Sequence, residues 1–266
     1  MTRIRIGNQT NCHVPALKPF RYAVEQGFDA FEWFSDYGEA GWNEATFSPE
    51  QIREIRRCGE EKNIRFSVHA PWCADPTTSS GQKDILQSIA LAGRIDAKVV
   101  NIHIFPEYEE EMFCQSLQPL LEAAKQTRVL ISLENVASCS PEKINAVFAC
   151  LRKSEDSAAY TGLCLDIGHA HIYAAPDGDF NSYLEKISDA IPIIHMHIHE
   201  NDGQRDLHLP LFTGSCRIDE SPVERLLKNL RRRQFCGSMI MEQWPSPPEQ
   251  LVKTRQHLLD LLLSLD

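Results

Sequence analysis

The chain has 266 residues, 42% hydrophobic and 24% charged, and 27 Lys and Arg against 37 Asp and Glu give a net charge of −10. That length suits one (β/α)8 barrel, typically about 250 residues, and 13 Gly with 15 Pro exclude collagen, low complexity and bulk disorder. The acidic balance disfavours non-specific binding to nucleic acid or to anionic membrane surfaces. Residues 1–7 carry charge and lack the apolar core of a signal peptide, and no apolar stretch approaches the ~18 residues of a membrane span. Nine Cys without a C-x-x-C pair fit reduced thiols in a cytoplasmic protein, not a disulfide framework or a zinc knuckle.

Along the chain, β-rich runs alternate with amphipathic helical stretches eight times. Strands are predicted at 4–7, 28–34, 64–69, 98–104, 129–134, 162–166, 191–199 and 238–243. Helices are predicted at 16–26, 49–62, 82–95, 109–126, 141–152, 183–190, 221–233 and 247–263. Ser48-Pro49-Glu50 and Ser140-Pro141-Glu142 each put a cap residue before a Pro at the first helical position. Eight β-α units predict an α/β fold, a single TIM barrel spanning 1–266 with no linker to divide it.

Side chains alternate across a strand, so each strand has an outward and an inward parity. In the third strand Phe66 and Val68 share one parity, Arg65, Ser67 and His69 the other. In the fifth, Ile131 and Leu133 oppose Ser132 and Glu134. The apolar parity is expected to meet the helices. The other points into the barrel and ends, at the catalytic face of such barrels, in a His or a carboxylate. At or just past the strand ends stand His69, His103, Glu134, Asp166 with His169, His197, Asp206 with His208, and Glu242. Four carboxylates gathered without cations would repel one another, and a divalent metal relieves that conflict. His, Asp and Glu are ligands suited to zinc or manganese.

Several ordered motifs carry a resemblance. They are Val68-His69-Ala70-Pro71-Trp72, Asn101-Ile102-His103, Leu133-Glu134-Asn135, Asp166-Ile167-Gly168-His169, His197-Ile198-His199-Glu200-Asn201-Asp202-Gly203, Asp206-Leu207-His208-Leu209-Pro210 and Met241-Glu242. The chain resembles the xylose-isomerase-like barrels, a superfamily holding sugar-phosphate isomerases and epimerases and the endonuclease IV class of DNA-repair enzymes (AP endonuclease family 2). The resemblance implies a core metal site on Glu134, Asp166, His197 and Glu242. It implies further metal ligands at His69, His103, His169, Asp206 and His208, and so one to three ions of manganese or zinc. Period two puts His195, His197 and His199 on one strand face, and His197 is taken as the ligand because an acidic residue, Glu200, follows three later. Where relatives often run Leu-Gly-Glu-Gly after Leu-Pro, this chain has Leu211-Phe212-Thr213-Gly214.

Two chemistries follow from the resemblance. In the first, Glu134 and Glu242 pass a proton to and from a small sugar or sugar phosphate whose carbonyl a metal polarises. His169 then orients the substrate, and Glu32, Trp72 and Arg205 are candidate substrate contacts. In the second, several zinc ions hydrolyse a phosphodiester at abasic sites in DNA. DNA binding wants a basic mouth, whereas the strand-end loops at 35–40 and 105–111 are acidic. The basic run Arg231-Arg232-Arg233 follows a helix and is expected at the far end. The sugar reaction is therefore placed first, with DNA as partner only under the alternative.

Overall fold

The computed structural model describes residues 4–10, 14–35, 47–175, 178–243 and 248–265. Its strands are β1 (Arg5–Gln9), β2 (Ala30–Phe34), β3 (Arg65–His69), β4 (Val99–His103), β5 (Leu130–Glu134), β6 (Thr161–Asp166), β7 (Ile193–Ile198) and β8 (Ser238–Met241). Each pairs in parallel with the next, and β8 returns to β1 to close the barrel. The helices are α1 (Leu17–Glu25), α2 (Pro49–Lys62), α3 (Ser79–Ile95), α4 (Glu110–Ser116), α5 (Gln118–Thr127) and α6 (Pro141–Leu151). They continue with α7 (Glu155–Tyr160), α8 (Ile167–Ala174), α9 (Phe180–Glu185), α10 (Ser221–Arg232) and α11 (Glu249–Ser264). None of the described helices is long and apolar enough to cross a membrane.

The expected elements are present, with local differences that have physical causes. The helix expected at 109–126 is two, α4 and α5, because Pro119 has no N–H to continue the ladder and instead begins a new helix. Helix α3 starts at Ser79, since the Thr78 hydroxyl accepts from Gly81 N at 3.1 Å. The helix expected at 183–190 is α9, begun where Asp179 accepts from Asn181 N and Ser182 N. Two short helices, α7 and α8, were not expected. Of the last helix, residue 247 lies outside the described residues.

The two parities separate as the sequence reading expects. Phe31, Trp33, Phe66, Val68, Ile131, Leu133, Leu163 and Leu165 face outward and are at most 3% exposed. There they join the helix faces in one core, where Phe20 of α1 sits 5.3 Å from Phe31 and 5.0 Å from Trp33, ring to ring. The inward parity is polar: Glu32, Ser67, Asn101, Ser132, Cys164 and His195 are all buried. His195 bonds Glu32 at 2.8 Å although β7 and β2 are not neighbours, so that bond crosses the barrel interior. Between β6 and β7 the register shifts: Leu163 pairs with Ile193, but Cys164 pairs with His195. The extra residue, Ile194, is accommodated because Gly162 has no side chain; a Cβ there would come 2.6 Å from it. This irregularity sets His195 level with Cys164 and His197 level with Asp166.

Helices α2, α3 and α5 each end on a non-glycine residue in the left-handed region: Asn63 (φ 53°), Asp96 (φ 60°) and Arg128 (φ 58°). That conformation costs an L-residue about 1–2 kcal/mol, of which glycine would return part through its larger unfolded-state entropy. Arg128→Gly should therefore stabilise the protein by about 0.5–1 kcal/mol, raising Tm by roughly 1–3 °C in a thermal melt. A lower Tm would contradict this.

Candidate metal centre and active site

The C-terminal ends of the strands converge. His69, His103, Glu134 and Asp166 close β3 to β6, His197 stands near the end of β7, and Glu242 directly follows β8. His197 Nδ1 lies 3.3 Å from Glu134 Oε2, 3.8 Å from Asp166 Oδ2 and 3.0 Å from Glu242 Oε2. These four residues offer donor atoms that all lie within 4.8 Å of one another. Donors about 2.1 Å from one tetrahedral ion stand about 3.4 Å apart, and the three distances from His197 Nδ1 bracket that value.

Two further groups adjoin this quartet. His69 Nε2 is 3.2 Å from Glu134 Oε2 and His103 Nε2 is 3.7 Å from Glu134 Oε1, so Glu134 belongs to both groups. On the other side stand His199, Asp206 and His208. His208 Nε2 is 3.0 Å from Asp206, and its ring stacks on His199 at 4.2 Å. The loop carrying Asp206 and His208 is turned back by the antiparallel bridge of Glu200 with Leu209. His169 joins the groups, with Nδ1 3.5 Å from Glu134 and Nε2 3.2 Å from Asp206. It is placed by Asp166, whose side chain caps α8 by accepting from His169 N at 2.7 Å.

Electrostatics couple these groups. Burial pushes the Glu134 carboxyl up, but His197 chiefly outweighs it and holds the group well below the usual carboxylate range. Glu242 is lowered by the same balance of burial against His197 and His208. Burial opposes charge on His197 too, yet Cys164, Glu134, Glu242 and Glu32 hold it well above the usual histidine range. For His103 burial wins, and its pKa falls to about 4, leaving an uncharged imidazole at neutral pH. His208 rises to about 9, its burial outweighed by Asp206, Glu242 and Asp166.

The His197 ring shows how the site suits a cation. Its Nε2 lies 2.8 Å from Glu32 Oε1 and donates to that carboxylate. Its Nδ1 then faces three carboxylates, an arrangement that calls for either a second proton or a metal ion at that atom. His69 Nε2, Glu134 Oε1, His197 Nδ1 and Glu242 Oε2 are buried and make no aligned hydrogen bond, only the charge contacts given above, as atoms turned toward a shared cation would. The donor set therefore fits a divalent ion.

Three expected substrate contacts stand differently. Glu32 is a correction: it is fully buried, with Oε2 accepting from Ser67 and His195 and Oε1 from His197, each at 2.8 Å. Its oxygens are engaged beneath the site, so it is not free to meet a sugar hydroxyl. Arg205 is exposed, its guanidinium paired with Asp202 at 2.7 and 2.9 Å within its own loop. Trp72 is 58% exposed just past β3. The acidic loop expected at 35–40 lies, apart from Ser35, outside the described residues. In the other loop, Glu110 pairs with Lys143 and Glu111 with Lys153. The basic run is tied down at the end of α10, where Arg232 and Arg233 pair with Asp189 and Arg231 bonds the Leu265 carbonyl.

Sequence reasoning had not used several supporting residues. Asn101 bonds Glu134, and Ser132 bonds Asn101 at 2.6 Å. Asn135 exchanges two 2.9 Å bonds with the Asp166 backbone and accepts His169 Nδ1 on its carbonyl. Their signal was the inward parity itself, since Asn101 precedes His103 by two and Ser132 precedes Glu134 by two. His199 was considered only as a rival ligand to His197; it bonds Asp166 at 3.1 Å.

The pattern of the xylose isomerase-like TIM barrel family matches residues 20–261. The chain belongs to this family. An uncharacterised protein of Methanocaldococcus jannaschii, MJ1311, is 27% identical over 243 residues, 82% of this chain and 76% of the relative. A D-tagatose 3-epimerase-like protein shares the fold with a TM-score of 0.76 at 22% identity, covering 97% of both chains. The Thermus thermophilus protein TTHB071, whose crystals were soaked with zinc chloride, matches with a TM-score of 0.68 at 18% identity, covering 97% of this chain and 98% of the other.

The departure at residues 211–214 also has a structural basis. Phe212 has φ 66°, a conformation glycine adopts freely, and its ring stacks on His257 at 4.2 Å. Glu200 holds this loop by accepting from Thr213 N (2.9 Å), Gly214 N (3.0 Å) and Cys216 N (2.8 Å). Glu200→Ala would orphan these donors at a cost of about 2–3 kcal/mol, so Tm should fall by roughly 5–10 °C. An unchanged melting temperature would show that the loop does not depend on Glu200.

Proposed function

We propose that the chain is a divalent-metal-dependent isomerase or epimerase of a small sugar or sugar phosphate. The observation that carries this reading is the buried quartet Glu134, Asp166, His197 and Glu242, in which two glutamates from β5 and the end of β8 face one centre. A manganese or zinc ion would be held by those four residues and, when bound, polarises a carbonyl and its neighbouring hydroxyl. One glutamate takes the proton from the carbon beside that carbonyl, and the other returns a proton to the acceptor carbon. His169, its two ring nitrogens held by Asp206 and the Asn135 carbonyl, is fixed beside the quartet as a wall that orients the substrate. Trp72 offers an exposed ring at the rim against which a sugar face can pack. Eight described cysteines, all free, fit the reducing cytoplasm as its location.

A second reading rests on the two flanking groups, His69 with His103 and Asp206 with His208 and His199. Sharing Glu134 and Asp166 with the quartet, they suit a cluster of two or three zinc ions, as phosphodiester hydrolysis at abasic DNA requires. The unpaired acids of the β4 loop, Glu107 and Glu109, weigh against a polyanion at the mouth.

Proton exchange separates the two. The metal-loaded protein, incubated with a panel of ketoses and ketose phosphates in heavy water, should place deuterium on the carbon beside the carbonyl of at least one of them. Glu134→Gln and Glu242→Gln should each slow that exchange at least a hundredfold. No exchange across the panel, together with nicking of abasic duplex DNA by the same preparation, would replace the first reading with the second.

A further inference from the structure

The opposite end of the barrel holds a cavity of about 520 Å3. Barrels of this type normally fill that space with branched apolar side chains. Here the inward residues around its floor include the polar Ser67, His195 and Ser238 beside the apolar Val99, Leu130 and Ile193, and its mouth is rimmed by Arg5, Arg65 and Lys98. The rim lies at the N-terminal ends of β1, β3 and β4, so the cavity is on the far side of the Glu32 layer from the quartet.

Its charge is one-sided. Four cationic residues line it, Arg5, Arg56, Arg65 and Lys98, against two carboxylates, Glu60 and Asp96, which are already paired with Arg56 and Lys98. Arg5 donates to the carbonyls of Asp29 and Asn63 and to Asn63 Oδ1, and Arg65 reaches across the mouth to the Cys236 carbonyl at 2.9 Å. The Asp29 carboxylate and Cys236 offset this charge only in part: the Arg65 pKa is lowered overall, first by burial and then by Arg5 beside it. At the floor, His195 is 1% exposed, its Nε2 is committed to Glu32, and its Nδ1 is buried without a partner. A hydroxyl group satisfies that nitrogen in either role, because it can donate or accept.

We propose that this cavity is a second ligand site, taking a small hydroxylated anion. Its phosphate or carboxylate meets Arg5 and Arg65 at the mouth, and a hydroxyl reaches His195 Nδ1 between Ser67 and Ser238. The shared chemistry is an anionic head on a polyhydroxy body, and the two possible heads are separated by the choice of probe.

Calorimetric titration of the full chain after chelator treatment tests this without metal at the opposite end. Glucose 6-phosphate and gluconate are the two probes, with glucose and inorganic phosphate as controls. At least one probe should bind with a stoichiometry of one and at least tenfold more tightly than either control. Arg65→Met and Ser238→Leu should weaken it at least tenfold, whereas Glu242→Gln, at the other end, should leave it unchanged. Lys98→Glu, at a half-exposed rim position, provides a variant that keeps the core intact and should weaken binding by a similar factor. Folding of each variant is checked by its thermal melt. Failure of both probes to bind the folded chain would overturn the proposal. So would binding that Glu242→Gln abolishes while Arg65→Met and Lys98→Glu spare it.

Discussion

Carboxylates inside a closed barrel must be matched by positive charge, and the site is organised around that constraint. Glu32, Glu134, Asp166 and Glu242 are each 5% exposed or less, and an ionised carboxyl so buried is tolerated only when paired and hydrogen-bonded. The imidazoles supply that match in layers. Glu32 is satisfied from below by Ser67 and His195, and through His197 it fixes the ring that faces the other three acids. Metal-ligating histidines commonly donate their second nitrogen to a carboxylate in this way, which sets tautomer and orientation together. The Glu32–His197 bond is thus the link on which the geometry of the quartet depends.

The polar interior has a further consequence. Where other barrels pack branched side chains, this one has Ser67, Asn101, Ser132 and His195, tied into chains that lead to Glu134 or Glu32. Shape is maintained instead by the outer layer, where aromatic and aliphatic side chains of the strands meet the helices. Division of labour between the two faces of each strand lets a polar site occupy the centre without loss of core.

Much of this was legible in the sequence. Alternation alone separated Phe66 and Val68 from Ser67 and His69, and the recurrence of His or carboxylate at strand ends picked out residues that the fold brings together. Depth was not legible. Glu32 shares the inward parity, but its place is set by pairing with Ser67, while the residue level with His69 is Phe34. Only the register between strands says that Glu32 lies beneath the site and not at its rim. The irregularity at Ile194, which aims His195 and His197, is likewise a property of the β6–β7 pair and not of either strand alone. The pairing of Arg205 with Asp202, three residues earlier, is a more local matter that the sequence reading did not draw. Pro119, in contrast, carried its message openly, and a stricter reading would have broken the helix there.

The central claim is that the quartet holds a divalent ion. Metal content by inductively coupled plasma mass spectrometry, after dialysis against equimolar manganese and zinc and then metal-free buffer, tests it most directly. The account predicts at least one tightly held equivalent in the native chain, lost in a folded Asp166→Asn, His197→Ala double variant. A folded native chain that retains no metal, or a double variant that retains as much as the native chain, would contradict it.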